Sequence, residues 1–446
     1  MVAVLILAAG QGTRMVSDLP KILHPLGGKA MVHHVIDAAL GLQSEDTLGE
    51  IVVVISPTLD AAMVQEGRTV KTVIQPQPLG TGDATRIGME AFSQLPETVL
   101  ILCGDTPLLE TSFLQAVIDR HKARRASVPS LTVVGMRPEN PGAYGRIVAD
   151  GSGKIDRIVE YRDALDSERA ISLCNSGVIV ADGALLRRLV SKLVPQNEAG
   201  EYYLTDVVAL ARHEGVTSWV MELPAEILQG INTRVDLADA THILQNRWRR
   251  RFMEQGVTLV DPSSVFFCHD TKIGRDVTIH PNVTFGEGVI IGNHVRILPG
   301  CHIEKSTLGD NVTVGPFAHL REGTVLGDHV SIGNFVEIKS TTVGTRTKAK
   351  HLSYLGNATI GENVNIGAGT ITCNHNGFLK SPTKIGDGAY IGSNSCLVAP
   401  VSIGTGAIVA AGSIIHADVP DDALGIARER QENKLKWATK FRARYQ

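Results

Sequence analysis

Two glycines and two cations stand close together after an apolar run. The run "VAVLI" leads into "LAAGQGTRM" (residues 7–15), and Lys21 follows in "DLPKIL". Gly10 and Gly12 allow backbone N–H groups to approach an anion, and Arg14 and Lys21 add charge-assisted bonds to it. The chemistry this suggests is the holding of a phosphate. Neither familiar phosphate fingerprint fits, because Met15 stands where a third glycine belongs and no Gly-Lys-Ser/Thr follows. A tight turn without a ligand is the alternative. A second candidate is Asp105, which ends the run "VLILCGD" and could hold a hard cation or cap the helix begun by "TPLLE". A third is His351 in "KHLSYLG", either a proton acceptor near neutral pH or a structural histidine.

Two different rhythms must position these groups. Up to about residue 230, apolar runs ("VAVLILA", "EIVVVIS", "KTVIQ", "TVLILCGD") alternate with helical patterns ("GKAMVHHVIDAAL", "GTGDATRIGMEAF"). That alternation predicts an α/β domain with a mostly parallel sheet covered on both faces, and ligands collect at the carboxyl ends of such strands. Residues 235–255 read as a helical linker with Leu237, Leu244, Trp248 and Phe252 on one face. Its run "RWRRR" reads as a solvated or packed face. Beyond it, apolar residues recur every six positions from Ile273 to Ile303. The frame slips by one residue and runs from Leu308 to Ile338, then from Val343 to Leu355, then through Ile360 and Ile366, and after a break from Ile385 to Val409. A six-residue period over about 140 residues is a hexapeptide β-helix, whose coils bury a continuous apolar column. The break "CNHNGFLKSPTK" (373–384) reads as a loop leaving the solenoid, a natural place for substrate contacts.

Composition narrows the classes. The chain has 446 residues, enough for about two to three domains, and a net charge of −3, which does not suggest a nucleic-acid surface. Its six cysteines (103, 174, 268, 301, 373 and 396) show no C-x-x-C spacing and fit a reducing cytosol. The N-terminus reads as a strand and not a signal peptide, and no apolar run reaches the ~18 residues of a membrane span.

Read in order, "LAAGQGTRM…LPK", "QPLGTGDA", "CGDTPL", "YGRI", "IVE", "CNSG", "GEYYLTD" and "GINTR" precede a solenoid with "GPFAHLREG", "GNFVEIKS", "KHLSYLG" and "NVNIGAGTITCN". Over nearly its whole length the chain resembles the bacterial family of bifunctional N-acetylglucosamine-1-phosphate uridyltransferases / glucosamine-1-phosphate N-acetyltransferases. The resemblance implies a Rossmann-like uridyltransferase domain (1–234), a helical linker (235–255), and a left-handed parallel β-helix acetyltransferase domain with a C-terminal tail (256–446). It also implies a cytoplasmic homotrimer that uses Mg²⁺, acetyl-CoA and UTP to make UDP-N-acetylglucosamine, a precursor of peptidoglycan and lipopolysaccharide.

Residue by residue, the resemblance assigns Asp105 and Asn232 to Mg²⁺, and Arg14 and Lys21 to the triphosphate. Leu7, Ala8, Ala9, Gly10, Gln75, Gly80 and Thr81 match nucleotide positions, and Gln75 carries the donor–acceptor pair needed to read a uracil edge. Gly145, Glu160 and Asn175 match sugar positions. His351 matches the acetyl-transfer base, with Glu337 as electrostatic support. Arg321, Lys339, Tyr354, Asn365 and Lys380 match positions for the acetyl acceptor, glucosamine 1-phosphate. Ala368, Asn374, His375, Ser393, Ala411 and Arg428 match acetyl-CoA positions, and His375 departs from the tyrosine of some relatives. The alternatives are a monofunctional sugar-1-phosphate nucleotidyltransferase with a structural or regulatory β-helix, and a scaffold without turnover.

Overall fold

Successive residues of the strand Val2–Ala8 point to opposite faces, and each face has its own core. Val4 and Ile6 join Val53 and Leu102 in a cluster with Val32, Val35 and Ile36 of the helix Met31–Leu40. Leu5 joins Val54 and Ile101 in the other, with Met89 of Thr81–Ala91 and Leu185, Leu186 and Leu189 of Gly183–Val190. A sheet covered on both sides needs such unbroken apolar strands.

In this computed structural model, residues 1–44, 48–124 and 129–446 are described, and they form two compact units, Met1–Leu244 and Gln245–Gln446. The sheet of the first unit has nine strands. Its order is Lys71–Ile74, Leu48–Ile55, Val2–Ala8, Thr98–Cys103, Cys174–Asp182, Leu131–Met136, Ser218–Glu222, Lys154–Val159 and Arg146–Ala149. Cys174–Asp182 and Lys154–Val159 run against the others, so the sheet is mixed but mostly parallel. The first four strands in that order are mutually parallel, and the loops after Ile74, Ala8 and Cys103 therefore open on one edge.

The second unit is a parallel β-helix of three ladders, with ten, eight and eight strands. Ile279, Ile297, Val314, Ile332, Ala349, Ile366, Ile391 and Val409 stack in one column. Neighbours in the column lie 17 or 18 residues apart, except for 25 between Ile366 and Ile391. A full coil is three hexads, and the one-residue slips of the sequence frame are the shorter coils. All three slips fall in the turn entering the same ladder, at Leu308, Val343 and Ile360. Shortening a corner leaves the register of the buried column intact, whereas a slip within a strand would turn its apolar residues outward. The long coil holds the expected loop 373–384, but only residues 374–382 leave, as a small hairpin bridged at His375 and Lys380, while Cys373 stays in its ladder opposite Val398. Thr383–Ile385 then pairs with Ala358–Ile360, so register is kept.

The helix Arg234–Glu254 runs across the division between the units. In the second unit its Phe252 ring lies 4.6 Å from Phe267, which stacks 5.3 Å from Phe285 in the first coils. Arg249, from the basic run, is packed: it is buried and donates to the carbonyls of Val265 (3.0 Å) and Ser263 (3.1 Å). No described helix is long and apolar enough to cross a membrane.

Candidate active sites

The loops at the carboxyl edge of the first unit's sheet surround a cavity of about 480 Å³. Leu7, Ala8, Ala9, Gly10, Arg14, Lys21, Gln75, Gly80, Thr81, Asp105 and Asn232 all line it. Gly12 and Gly10 have different reasons to be glycine. Gly12 sits at φ 63°, and a Cβ there would fall 2.4 Å from the Cβ of Lys21. It lets the loop fold back over that lysine. A Cβ on Gly10 would meet no protein atom, so what requires the small residue there is not the protein's own packing.

Lys21 is ion-paired with Asp105, and its Nζ also donates to Asn232 Oδ1 at 3.1 Å. A carboxylate and an amide oxygen thus converge on one positive charge, which is what a hard divalent cation asks of its protein donors. The two donors are tied together by Ile231 N–H donating to the Asp105 carbonyl at 2.9 Å. Asn232 is further fixed by the capping box that opens the long helix. Asn232 N–H and Thr233 N–H both donate to Asp236 Oδ2 (2.9 and 2.8 Å), and Asp236 N–H donates to Thr233 Oγ1 (3.1 Å). Beside them Cys103 is neutral. Burial, and then the Asp105 charge, push its thiol up to about 12, so it is no nucleophile.

Gln75 is buried, and its amide nitrogen donates to Asp83 Oδ2 (2.9 Å) and to the Gly80 carbonyl (3.1 Å). Both donors are committed to the protein, leaving the Gln75 oxygen as the group that can meet a ligand. Gly145, Glu160 and Asn175 sit together. A Cβ on Gly145 would lie 3.3 Å from the Glu160 carboxylate, and Asn175 N–H donates to the Gly145 carbonyl at 2.8 Å. Glu160 accepts from Thr205 Oγ1 at 3.0 Å and lines a second cavity of about 510 Å³. Arg14 and Glu201 line both cavities and so join them. Glu201 lies in the motif "GEYYLTD" but carried no assigned role, because only its position between two cavities distinguishes it.

In the solenoid, Asn334 and His351 are register partners two places beyond Ile332 and Ala349, whose buried column continues through Ile366, Ile391 and Val409. The residues two places further on are Ala368, Ser393 and Ala411, so His351 and these three occupy one corner of successive coils. Backbone bonds lock that corner: Gly369 N–H to His351 O, Asn394 N–H to Ala368 O (2.7 Å) and Gly412 N–H to Ser393 O (2.8 Å). Arg428 reaches the same corner, its Cδ 3.7 Å from where a Gly412 Cβ would stand. His351 is exposed, and its Nδ1 lies 2.9 Å from Asn334 Oδ1. An amide oxygen only accepts, so Nδ1 is the donor in this bond, and Nε2 is the ring nitrogen left to face a substrate. Asn334 was missed in the sequence, although it stands one coil before His351 in the same frame.

Glu337 is not bonded to His351. It pairs with Arg321 at 2.8 Å, while Lys339 pairs with Glu322 at 2.8 Å. Glu337 is opposite Tyr354 and Lys339 opposite Gly356, which keeps Arg321, Lys339 and Tyr354 on one ladder. Asn365 stands opposite Lys348, on the ladder that carries His351. Asn374 donates to Asn357 Oδ1 at 2.6 Å, and its Nδ2 and the Tyr354 hydroxyl both lie where a Cβ on Gly356 would stand, so it lies beside Tyr354 and not at the corner of Ala368. His375 and Lys380 face each other in the exposed hairpin, and among the described residues no side-chain bond joins either to these groups.

Residues 4–160 match the MobA-like NTP transferase domain, 256–354 the GMPPB C-terminal domain, and 382–417 the hexapeptide repeat of succinyl-transferase. The bifunctional protein GlmU of Paramagnetospirillum magneticum is 46% identical over 444 residues, covering 99% of this chain and 96% of that protein. The chain belongs to the bifunctional GlmU family. The GlmU of Rhodospirillum rubrum is 48% identical over 441 residues (99% and 97%), and that of Zymomonas mobilis 44% (98% and 97%). The likeness to GlmU thus runs through both units, not through the nucleotidyltransferase half alone.

Proposed function

We propose that the two sites run consecutive steps of UDP-N-acetylglucosamine synthesis. In the second unit glucosamine 1-phosphate is acetylated by acetyl-CoA. In the first, N-acetylglucosamine 1-phosphate takes UMP from UTP and pyrophosphate leaves. The observation that carries this reading is the convergence of the loop cations, Asp105 and Asn232 on one cavity, in a chain whose full-length relatives are bifunctional GlmU proteins.

For uridylyl transfer, the sugar phosphate oxygen attacks the α-phosphorus in line and the bond to the β-phosphate breaks. No side chain has to become covalent, so the protein's task is positioning and charge neutralisation. Arg14 and Lys21 meet the triphosphate, the Gln75 oxygen accepts from uracil, and Gly145, Glu160 and Asn175 orient the sugar. Asp105 and Asn232 would hold Mg²⁺, which when bound supplies charge neutralisation at the phosphates.

For acetyl transfer, the amine attacks the thioester carbonyl and CoA leaves as the thiol. His351 Nε2 takes the amine proton, with Asn334 holding the ring. Arg321, Lys339 and Lys380 answer the acceptor's phosphate, with Tyr354 and Asn365 beside it. The corner of Ala368, Ser393, Ala411 and Arg428 receives acetyl-CoA, and Asn374 and His375, which lie off that corner, carry the same role by family resemblance alone. The same reading carries left-handed winding, a homotrimer in the cytoplasm, and a division of labour between residues 1–234 and 256–446.

The test mixes glucosamine 1-phosphate, acetyl-CoA, UTP and Mg²⁺ with the protein and follows free thiol and pyrophosphate separately. Both are expected, with pyrophosphate lagging thiol. Pyrophosphate from supplied N-acetylglucosamine 1-phosphate, with no thiol from glucosamine 1-phosphate, would leave the monofunctional reading.

A further inference from the structure

The imidazoles of His302 and His319 meet on neighbouring rungs of one ladder, edge to face, with centroids 5.2 Å apart. Glu304 stands two residues beyond His302. One ligand atom from each of the three can be chosen so that all lie within 4.8 Å of one another. Among the described residues no hydrogen bond or ion pair engages these three side chains. The carboxylates nearby are used differently, Glu322 by Lys339 and Glu337 by Arg321.

The scaffold suits a ligand set. The backbone under the rings is held by Ile303 and Leu320, both fully buried. Rungs of a β ladder are ~4.8 Å apart, so side chains on one face start close to contact. Small rotations bring them to the ~3.4 Å that separates ligand atoms around a tetrahedral ion with bonds of ~2.0–2.2 Å. Two imidazoles and one carboxylate are borderline donors, unlike the oxygen sets of magnesium or calcium.

We propose that His302, His319 and Glu304 bind one divalent ion of the zinc class, clasping two successive coils and leaving a further coordination position open to solvent. The site shares no residue with those given roles in either reaction, although His319 stands opposite Glu337 on the next rung of the ladder.

The test uses the untagged full chain, stripped with chelator, dialysed against Zn²⁺ and freed of loose ion by gel filtration. Wild type should retain one more zinc per chain than the His302→Ala/His319→Ala variant, read by plasma mass spectrometry. Should that variant misfold, Glu304→Gln keeps both rings. It should bind zinc more weakly than wild type by more than the ~10–100-fold that loss of an outer-shell contact costs. Equal retention and affinity in wild type and variants would overturn the proposal. So would a wild-type Co²⁺ spectrum dominated by thiolate charge transfer, which would move the ion to a cysteine cluster such as Cys268 and its neighbours.

Discussion

The two units assemble their sites by opposite means. In the α/β unit, residues near 7–21, 75–81 and 105 meet because parallel strands end on one edge, and Asn232 joins them through the Ile231 N–H bond to the Asp105 carbonyl. In the solenoid, Asn334, His351, Ala368, Ser393 and Ala411 meet because a coil returns every 17, 17, 25 and 18 residues. A ladder site is fixed by counting, and each member rests on its neighbours' backbone. A loop site is held by specific bonds, such as the Asp236 capping box and the lysine that joins Asp105 to Asn232. A single substitution should therefore remove chemistry without disturbing shape in the ladder, and disturb both where a loop residue makes such bonds.

The largest effect is expected at the ladder. His351→Ala removes an exposed side chain and leaves the backbone column intact. Loss of a general base costs ~10²–10⁴-fold, and it should fall on kcat for thiol release, with acetyl-CoA still bound. Pyrophosphate release from supplied N-acetylglucosamine 1-phosphate should not change. Near-wild-type acetylation by a folded His351→Ala protein would exclude it as the base.

Next comes Asp105→Ala. It removes one of the two oxygens converging on the lysine charge and also leaves Lys21 without its carboxylate. Uridylyl transfer should fall by ~10²–10³-fold, on the scale of one lost electrostatic contact in a closed site, and acetyl transfer should persist. Full activity at limiting Mg²⁺ would show that Asp105 is not a metal donor.

The same contrast explains what could be read in advance. The aliphatic frame marked the solenoid from Ile273 to Val409, because each short strand needs a buried residue and the slips had to fall where a turn could absorb them, but it missed the first rung at Leu259 and the last at Ile415 and Leu424–Gly425. The phosphate loop and Asp105 were legible because strands ending in glycine and carboxylate are locally unusual. Gly145, Glu160 and Asn175 came only from family resemblance, since their meeting depends on antiparallel pairing at the far side of the sheet. The commitment of both Gln75 donors to Asp83 and Gly80 was out of reach, because it turns on a buried side-chain bond that no spacing announces.

Gly10 and Gly12 sharpen the comparison inside one loop. Gly10→Ala adds a methyl facing no protein atom, so stability should hold within ~0.5 kcal/mol while the KM for UTP rises. Gly12→Ala meets both a left-handed φ and Lys21, so it should lower Tm as well as kcat. Equal Tm losses in the two variants would mean that Gly10 too is set by packing.

The smallest effect is expected at Glu160 and concerns stability. Burial raises its pKa above the ordinary glutamate value, the neighbouring carboxylates Asp206, Asp163 and Glu201 add to the rise, and the Thr205 hydroxyl opposes it. The folded state therefore holds the proton longer than the unfolded chain. Between the ordinary value and the raised one, the unfolded chain binds fewer protons, so stability falls as pH rises through that window. Below it the carboxyl is neutral in both states and costs nothing. Glu160→Gln keeps an acceptor for Thr205 and removes the charge. Calorimetry of the full chain should give the variant a higher Tm at neutral pH, with the gap closing below the ordinary glutamate pKa of about 4.3. The KM for N-acetylglucosamine 1-phosphate should rise in the same protein, because a site that orients a sugar keeps a buried charge at the expense of stability. A Tm gap that persists unchanged in acid would trace the gain to packing, and an unchanged KM would remove Glu160 from the sugar site.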